Sequence, residues 1–518
     1  MEAGGGRRTF FDLAQHGRGP TRGLTRRAFL GGGAGVALAG ILGPVRSATA
    51  AADAGAMRTD GALRVTAHQR AALEVLGRDT FRLPGSLPFP GLLPGTDTMP
   101  GIDHIVVVMM ENHSFDNLLG MLGRGDGWPL DMHGRPNSTN PYADGRLQHA
   151  FHMPTTCQLH ARPSQEWRTS HLAYNNGKMD GFVRSPISPQ VAGDVGGVAM
   201  GYWAGDDLPF TYSLAKTFPI ADRWFQSVLG QTDPNRRFMI AGTSSGMTDD
   251  ISTAPTLDNA IQDALLATPT PTIFDMLSFF GIPWTDYYTS FPFGASAELD
   301  PVLDTGLTLV KKKPIGQFFT DAATGSLPGF CLVEPDYGTQ SQENPQNMVV
   351  GEAFMAEVVN ALGSSPAWKR TALVITYDEH GGYYDHVPPP VCLAPDAILP
   401  IVAPGESMYD GFERYGFRVP GMMVSPYAKR DYVSNVVFDH TSILALVERK
   451  WNLPALTFRD ANANDLTDLL DLGALGERSP TFPSLPTLAA PGNTPAALAC
   501  SVKGPGTVPP PGSISPAP

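Results

Sequence analysis

Three apolar, β-branched segments, each followed at once by acidic residues, constrain the fold of this chain more than any other feature. They are residues 102–110 (IDHIVVVMM), 329–333 (GFCLV) and 372–377 (ALVITY). A continuous apolar run of this kind is typical of a strand buried on both faces of a parallel sheet. A fourth run, residues 419–425 (VPGMMVS), is a weaker strand candidate because proline and glycine interrupt it.

Helical patterns lie between and after these strands, most clearly at residues 351–362 (GEAFMAEVVNAL) and 441–451 (TSILALVERKW). Strands that alternate with helices predict an α/β fold, a three-layer sandwich around a mostly parallel central sheet. The chain has 518 residues, of which 42% are hydrophobic, so it can build a substantial core.

Polar residues follow each predicted strand at the point where it ends. They are Glu111 and Asn112, then Glu334 and Asp336, and finally Asp378, Glu379 and His380. Ligands of open α/β sheets bind beyond the carboxyl ends of the strands. Carboxylate and amide oxygens suit hard divalent cations, so this edge is predicted to hold a metal or a phosphate.

Residues 378–386 (DEHGGYYDH) place five acidic or histidine side chains within nine positions. Such a group is costly to bury unless it ligates a cation, although a solvated surface loop would also account for it. The glycine pair permits a tight turn that could return Asp385 and His386 to the strand end. We therefore include both as candidate catalytic residues.

A third segment, residues 230–236 (GQTDPNR), has a proline suited to the first turn of a helix. Thr232 would then lie at the helix N-terminus, where free N–H groups attract anions, and a nearby metal could activate its hydroxyl to attack phosphorus. A simple capping role for Thr232 is the alternative. Ser114 and Asp116 are also interpreted as helix caps, and His113 is left undecided.

The first fifty residues resemble a twin-arginine export signal. Arg26 and Arg27 precede the apolar run 28–42, and residues 48–50 (ATA) offer a cleavage site. The run is shorter than the roughly 20 apolar residues that span a membrane, so no transmembrane segment is expected. This pattern predicts export from a bacterial cytoplasm by the twin-arginine machinery, to the periplasm, the medium or the cell wall. A general secretory signal or an arginine-rich arm are alternatives.

The remaining organisation is read from composition. Residues 1–50 are assigned to the signal, 51–98 to a lead-in, 99–476 to a catalytic domain and 477–518 to a Pro-rich, flexible tail. The formal net charge of −13 argues against a nucleic-acid partner, which would need a basic surface. Four cysteines leave three possible disulfide pairings.

Several blocks together resemble the bacterial phosphoesterase family. They are IDHIVVVMMENHSFDNLLG, DRWFQSVLGQTDPNRRFMIAGT, TYDEHGGYYDHVPPP and FRVPGMMVSPYAK, in order between residues 99 and 451. That family contains the non-haemolytic type of phospholipase C and related acid phosphatases, within the alkaline-phosphatase-like superfamily. The resemblance thus implies an alkaline-phosphatase-like fold.

The resemblance also implies roles for individual residues. A divalent metal ion, whose identity the sequence does not specify, would be held by Glu111, Asn112, Asp378 and Glu379, with Thr232 as nucleophile and further ligand. His171 and His440 match blocks near the substrate, and His440 would stand at a helix N-terminus, where a neutral imidazole fits best. Structural roles are the alternative for both histidines.

Two positions depart from the family pattern. Gln165 stands where relatives often have histidine, and Asn344 replaces the histidine of a Glu-His-Pro-Pro block. Loss of the second histidine removes a candidate phosphate contact or proton donor, and so leaves the general acid open.

The predicted activity is hydrolysis of a phospholipid phosphodiester through a phosphothreonine intermediate. The alternative is an acid phosphatase acting on small phosphate esters; a non-catalytic exported binding protein and a sulfatase are less favoured. A headgroup cage and a hydrophobic core are both open interpretations of one set of aromatic residues, namely Tyr202, Trp203, Trp284, Tyr287 and Tyr288.

Overall fold

A central sheet of eight strands organises the structure, a computed structural model that describes residues 65–159, 162–184, 196–250, 270–289, 311–487 and 495–516. The predicted signal, residues 1–50, lies outside the described residues and stays a prediction. The strands are β1 His104–Met110, β2 Thr139–Pro141, β3 Leu147–His149, β4 Phe151–His152, β5 Gly201–Tyr202, β6 Ile220–Ala221, β7 Trp284–Tyr288, β8 Lys312–Pro314, β9 Phe330–Val333, β10 Thr371–Tyr377, β11 Gly421–Val424 and β12 Val433–Ser434.

Twelve α-helices occur in the described part of the chain. They are α1 Ala67–Val75, α2 Phe115–Leu119, α3 Trp167–Tyr174, α4 Pro209–Thr217, α5 Thr232–Ala241, α6 Ile273–Phe280, α7 Ile315–Thr324, α8 Met348–Gly363, α9 Thr441–Trp451, α10 Phe458–Asn462, α11 Leu472–Glu477 and α12 Pro495–Lys503. The two helices predicted from the sequence are α8 and α9. Among the described helices, none is long and apolar enough to cross a lipid bilayer.

The strand order in the main sheet is β12-β6-β11-β10-β1-β9-β7-β8. Strands β10, β1, β9, β7 and β8 form a parallel block, whereas β11 runs antiparallel to both of its neighbours. The predicted α/β class with a mostly parallel sheet is therefore confirmed.

Burial along the central strands shows that both faces of the sheet are covered. Every residue of β9, β10 and β11 is buried, as are residues 105–110 of β1. Because successive side chains of a strand point to opposite faces, this pattern requires a layer of structure on each side. The four apolar runs predicted from the sequence are the four strands β1, β9, β10 and β11. The predicted and observed ends differ by no more than two residues.

The remaining strands of the main sheet escaped the sequence analysis for local reasons. Strands β6 and β12 are two residues long, and β8 is the polar stretch Lys312–Pro314. Strand β7 carries Asp286 in its centre, which breaks the apolar pattern, yet that side chain is buried. Sheet pairing, rather than local hydrophobicity, places these segments.

The C-terminal tail is attached to the rest of the fold in its described part. A disulfide joins Cys157 to Cys500, which selects one of the pairings that the sequence leaves open. The Thr155 hydroxyl donates to the carbonyl of Gly504 at 2.7 Å, and the Gly512 N–H donates to the carbonyl of Leu147 at 2.8 Å. Cys331 and Cys392 are free and buried.

Candidate active site

The carboxyl ends of β1 and β10 bring two pairs of polar residues together, Glu111 with Asn112 and Asp378 with Glu379. These strands are adjacent and in register, with Met110 opposite Tyr377, so the residues that follow them emerge side by side. The backbone N–H of Asn112 donates to Oδ1 of Asp378 at 3.1 Å. The side chains of Glu111, Asn112, Asp378 and Glu379 are all buried.

A close backbone approach holds this junction in place. Gly381 has a φ of 63°, and a Cβ at this position would lie 2.0 Å from the carbonyl oxygen of Asn112. Only glycine fits there without displacing the backbone. Gly381 therefore allows the loop after β10 to pack against the loop after β1.

Thr232 reaches these polar pairs from a third segment, at the first position of α5. Its hydroxyl donates to Oδ1 of Asn112 over 3.4 Å, and the residue is half-buried. The structure thus brings Thr232 to the edge of the sheet beside Asn112, with its hydroxyl nearer to solvent than the fully buried acids.

The helix N-terminus next to Thr232 offers fewer donors than its position suggests. The Asp233 N–H donates to Oδ1 of Asp250 at 2.8 Å, and Pro234 has no N–H. The Asp250 N–H in turn donates to Oε1 of Gln231 at 2.9 Å. Positions 233 and 234 of the helix therefore offer no free N–H to an incoming anion.

Arg236, one turn further along α5, is the cation of this site and was not singled out from the sequence. Its Nη2 lies 2.7 Å from Oε1 of Glu111 and its Nε lies 3.2 Å from Oδ2 of Asp378. The side chain is fully buried, and its Nη1 donates to the Tyr337 hydroxyl at 2.8 Å. The spacing of four residues from Thr232 places both on one face of the helix.

The cluster of carboxylates exceeds its compensating charge. Burial first, and then the charge of Asp378, raise the pKa of Glu111 and of Glu379 well above the ordinary value. Burial and the neighbouring Asp233 raise the pKa of Asp250 in the same way. Asp250, which the sequence analysis missed, therefore belongs to the same acidic surroundings.

The donor set fits a divalent cation. Oε1 of Glu379 is buried and has no hydrogen-bond partner among the described residues, while its Oε2 accepts from the Gly381 N–H at 2.7 Å. An unsatisfied carboxylate oxygen among several buried acids is costly unless a cation binds there. Oxygen ligands from carboxylates and an amide are those that hard divalent ions prefer.

His440 contacts the backbone of the site at the end of β10, and its imidazole is neutral. It is the N-cap of α9, and its Nε2 lies 2.6 Å from the carbonyl oxygen of Asp378. Trp224 Nε1 donates to its Nδ1 at 3.4 Å, which leaves Nε2 as the protonated nitrogen. Burial lowers the pKa of His440 to about 3. Both ring nitrogens are engaged within the protein, so His440 positions the backbone of Asp378.

His171 lies on α3 in an aromatic setting. Its Nδ1 donates to the carbonyl of Trp167 at 2.7 Å, and its ring stacks on Tyr409 with centroids 4.0 Å apart. Burial lowers its pKa to about 4. It is linked to the acidic cluster through Trp167, whose N–H donates to Oδ1 of Asp249 at 2.8 Å.

Asp385 and His386 belong to a different cluster. Arg418 binds Asp385 through two hydrogen bonds of 2.9 and 3.0 Å. His386 Nδ1 lies 2.7 Å from Oδ2 of Asp116. Asp116 also accepts from Arg418 at 3.1 Å, so its predicted capping role is wrong, whereas Ser114 does cap α2.

This second cluster carries its own cation. Ligand atoms of Asp116, Asp385 and His386 lie within 4.8 Å of one another, a spacing that a metal could use. The buried guanidinium of Arg418 and the imidazole of His386, whose pKa is raised to about 9, balance the two carboxylates, so an ion pair network accounts for the geometry. Their described contacts join Asp385 and His386 to this network and not to Thr232.

Asn344, one of the two positions that depart from the family pattern, has a structural role here. Asn344 is buried, and its amide donates to the Tyr383 hydroxyl and to the carbonyl of Leu159, both at 3.2 Å. Four of the five aromatic candidates for a headgroup cage are buried in the core. They are Tyr202, Trp203, Trp284 and Tyr287. The core interpretation is therefore the correct one for these four.

A sheet edge with buried acids beside a threonine hydroxyl defines a phosphoester-processing class of site. The chain belongs to the Phosphoesterase family, whose model matches residues 102–454. The family resemblance expected from the sequence is confirmed, and the protein is a hydrolase of phosphoric ester bonds.

Two relatives named phospholipase C agree with this assignment. Non-specific phospholipase C1 of Arabidopsis thaliana is 32% identical over 70% of this chain and 69% of its own length. Phospholipase C A of Mycobacterium tuberculosis is 28% identical over 71% of this chain and 76% of its own length. A solved structure, of a protein in the alkaline phosphatase superfamily from Vibrio parahaemolyticus, covers 79% of both chains with 10% identity and a TM-score of 0.36.

Proposed function

We propose that the protein is an exported, metal-dependent phospholipase C that cleaves a phospholipid phosphodiester to diacylglycerol and a phosphorylated headgroup. The observation that carries this proposal is the Thr232 hydroxyl, half-buried and 3.4 Å from Asn112 at the mouth of the acidic cluster. The similarity to proteins named phospholipase C supports the choice of substrate.

Glu111, Asn112, Asp378, Glu379 and Thr232 would hold the divalent ion. When bound, such an ion lowers the pKa of a neighbouring hydroxyl and neutralises charge on phosphoryl oxygens. The surplus of buried carboxylates over the single guanidinium of Arg236 supports this assignment.

The reaction would proceed in two displacements at phosphorus. Thr232 Oγ loses its proton and forms a bond to phosphorus as the bond to the diacylglycerol oxygen breaks, and that oxygen takes up a proton. Water then attacks the phosphothreonine, the phosphorus–Oγ bond breaks, and Thr232 regains its proton. Arg236 does not face substrate in this scheme, because it is fully buried; it keeps Glu111 and Asp378 in position.

Export is supported by the disulfide between Cys157 and Cys500, because disulfides persist in oxidising compartments and are rare in the cytosol. The twin-arginine motif at Arg26 and Arg27 supplies the route. Cell fractionation, together with mass determination of the mature N-terminus, tests this part; retention of the full chain in the cytoplasm would overturn it.

The substrate is tested by comparing three compounds under identical metal conditions: phosphatidylcholine, a soluble aryl phosphodiester of choline and an aryl phosphomonoester. We expect the two diesters to be cleaved, with phosphocholine as the phosphorus-containing product. A strong preference for the monoester would instead favour the acid phosphatase alternative.

The covalent intermediate is tested by stereochemistry. Two successive in-line displacements invert phosphorus twice, so hydrolysis of a diester made chiral at phosphorus should retain configuration. Inversion would mean direct attack by water, and would remove Thr232 as the nucleophile.

A further inference from the structure

A loop of unusual composition follows the catalytic strands, and we call residues 397–409 (AILPIVAPGESMY) the rim loop. Its first nine residues, 397–405, contain no charged side chain. It has no helix or strand, yet Leu399, Met408 and Tyr409 are 65%, 46% and 44% exposed. Three large apolar side chains exposed within one short loop are more than the scattered single residues of an ordinary surface, and suggest a site of interaction.

The first half of the rim loop is connected to the Thr232 segment through residues 246–248. The Ile401 N–H donates to the carbonyl of Gly246 at 2.7 Å, and the Thr248 hydroxyl donates to the carbonyl of Ile401 at 2.9 Å. A Cβ on Gly230 would lie 2.7 Å from the carbonyl oxygen of Thr248. Residues 246–248 therefore lie between the loop and Gly230, which is two residues before Thr232.

The second half is anchored to the helix that carries His171. Trp167 Nε1 donates to the carbonyl of Ser407 at 2.9 Å, and the Tyr409 ring stacks on His171. The Trp167 N–H in turn donates to Asp249, next to Asp250 of the acidic cluster. Both halves of the loop are thus fixed to the rim of the active site, while Leu399 and Met408 project outward.

The charges near the rim loop indicate which kind of surface it would bind. Between residues 397 and 415 the basic side chain is Arg414, which pairs with Asp410 at 2.6 Å. Glu406 and Glu413 add negative charge, and the whole chain has a formal charge of −13. An anionic membrane attracts basic patches, so this surface does not fit one. Near Tyr409 the exposed Arg168 of α3 is opposed by Glu406, so the loop has no excess of basic charge around it. Apolar side chains in such surroundings fit a zwitterionic phospholipid surface, in which they sit at the boundary of headgroups and acyl chains.

We propose that the rim loop inserts Leu399 and Met408 into the surface of a zwitterionic phospholipid membrane and thereby holds the mouth of the active site against the headgroups. This inference rests on the proposed function, since it names how the enzyme reaches its lipid substrate. Insertion brings the Thr232 side of the loop to the depth at which phosphodiesters lie.

The test uses the double variant Leu399→Asp with Met408→Asp and the control Met132→Asp. Met132 is 92% exposed, and no described contact joins it to the rim loop. Binding is measured by flotation with phosphatidylcholine vesicles, with Thr232→Ala added to each protein so that no lipid is consumed. We expect the double variant to partition at least tenfold less than its parent, and the control to partition as its parent does.

Turnover provides the second readout, in proteins with Thr232 intact. The double variant should lose at least tenfold in kcat/KM on phosphatidylcholine vesicles and keep its kcat/KM on the soluble aryl phosphodiester of choline. Unchanged vesicle binding, an equal loss on both substrates, or binding of the parent to anionic vesicles alone would each overturn the inference. A dimer of the parent that the double variant dissolves would also overturn it, because the loop would then join two copies.

The two proposals fail in different ways. If the parent hydrolyses no phosphatidylcholine, the proposed substrate is wrong, while flotation still reports on the rim loop. If the parent cleaves detergent-dispersed phosphatidylcholine but does not float with vesicles, the rim-loop inference alone is wrong.

Discussion

Arg236 donates to Glu111 through Nη2 over 2.7 Å, at a point where neither side chain reaches solvent. The same guanidinium contacts Asp378 on the neighbouring strand, so one residue of α5 links the ends of β1 and β10. A buried cation between two buried acids leaves the other carboxylates uncompensated, and that imbalance is the physical basis for a metal site.

Removal of the nucleophile is expected to stop turnover without unfolding the protein. Thr232→Ala should lower kcat by at least about 10³-fold, because an activated hydroxyl and its covalent intermediate are both lost. The matched control is Thr232→Ser, which keeps a hydroxyl and should retain measurable activity. Melting curves should be alike for all three proteins, and near-normal kcat in the alanine variant would contradict the assignment.

Arg236 is expected to matter for stability more than its tyrosine partner. Arg236→Ala leaves Glu111 and Asp378 buried without their cation and should lower the free energy of unfolding by about 3–5 kcal/mol. Tyr337→Phe removes one hydrogen bond to the same guanidinium and should cost about 1 kcal/mol. Denaturant unfolding of both variants measures the difference; equal losses would show that Arg236 is not the central charge.

The two buried glutamates should destabilise the metal-free protein as pH rises. Burial raises the pKa of Glu111 and Glu379 above the unfolded value of about 4.3, so the folded state binds protons that the unfolded chain has released. Their contribution to the free energy of unfolding therefore falls as pH increases above about 4, whereas His171 and His440, whose pKa values burial lowers, add stability up to about pH 6.5. Comparison of the parent with Glu379→Gln in chelator isolates the acids: the melting temperature of the variant should gain on that of the parent as pH rises from 4 to 8, and a shrinking difference would refute the sign.

Charge relief at Glu379 should separate stability from metal binding. Glu379→Gln removes a buried negative charge whose Oε1 has no hydrogen-bond partner in the described part of the chain, so the metal-free variant should melt at a higher temperature than the parent at pH 7. Its affinity for a divalent ion, measured by calorimetry, should be weaker. A variant that is less stable without metal and binds it normally would exclude Glu379 from the site.

His386 should add a separate pH dependence at alkaline pH. Burial lowers its pKa, but the hydrogen bond to Asp116 and the charge of Asp385 outweigh this and raise it to about 9. Stability from the charged imidazole is then complete below about pH 6 and is lost as pH rises toward 9, by about 3 kcal/mol. His386→Gln should flatten the fall between pH 6 and 9 in denaturant unfolding; an unchanged slope would refute the assignment.

The central strands were predictable because consecutive apolar residues within each strand indicate that it is buried. Residues 105–110 of β1, all of β9 and residues 372–375 of β10 are continuously apolar, and a strand covered on both faces favours such a run. The polar residues after β1 and β10 were equally visible, since a carboxylate directly after a buried strand is a local event. Strand β7 was not visible, because Asp286 is buried by its neighbours in the sheet and not by its sequence context.

The grouping of charges was decided by the tertiary structure. Local sequence placed Asp385 and His386 near Asp378, yet the fold turns them to Arg418 and Asp116, which lie 33 and 269 positions from Asp385 along the chain. Asp250 and Arg236 join the site because α5 and the segment after it pack against the sheet edge. Arg236 belongs to the candidate segment 230–236, but its pairing with Glu111 and Asp378 is not visible in the sequence; nothing around Asp250 marks it at all.

The amino-acid sequence by itself determined which segments form the buried strands and which polar residues stand at their ends, because both depend on neighbours along the chain. Only the tertiary structure decided that Glu111 and Asp378 share the guanidinium of Arg236, and that Glu379 has an oxygen without a partner among the described residues. It also decided that the rim loop contacts residues 246–248 near the Thr232 segment. Those properties depend on the register of β1 against β10 and on distances between segments that are far apart in the chain. Neither can be predicted from the pattern of neighbouring residues.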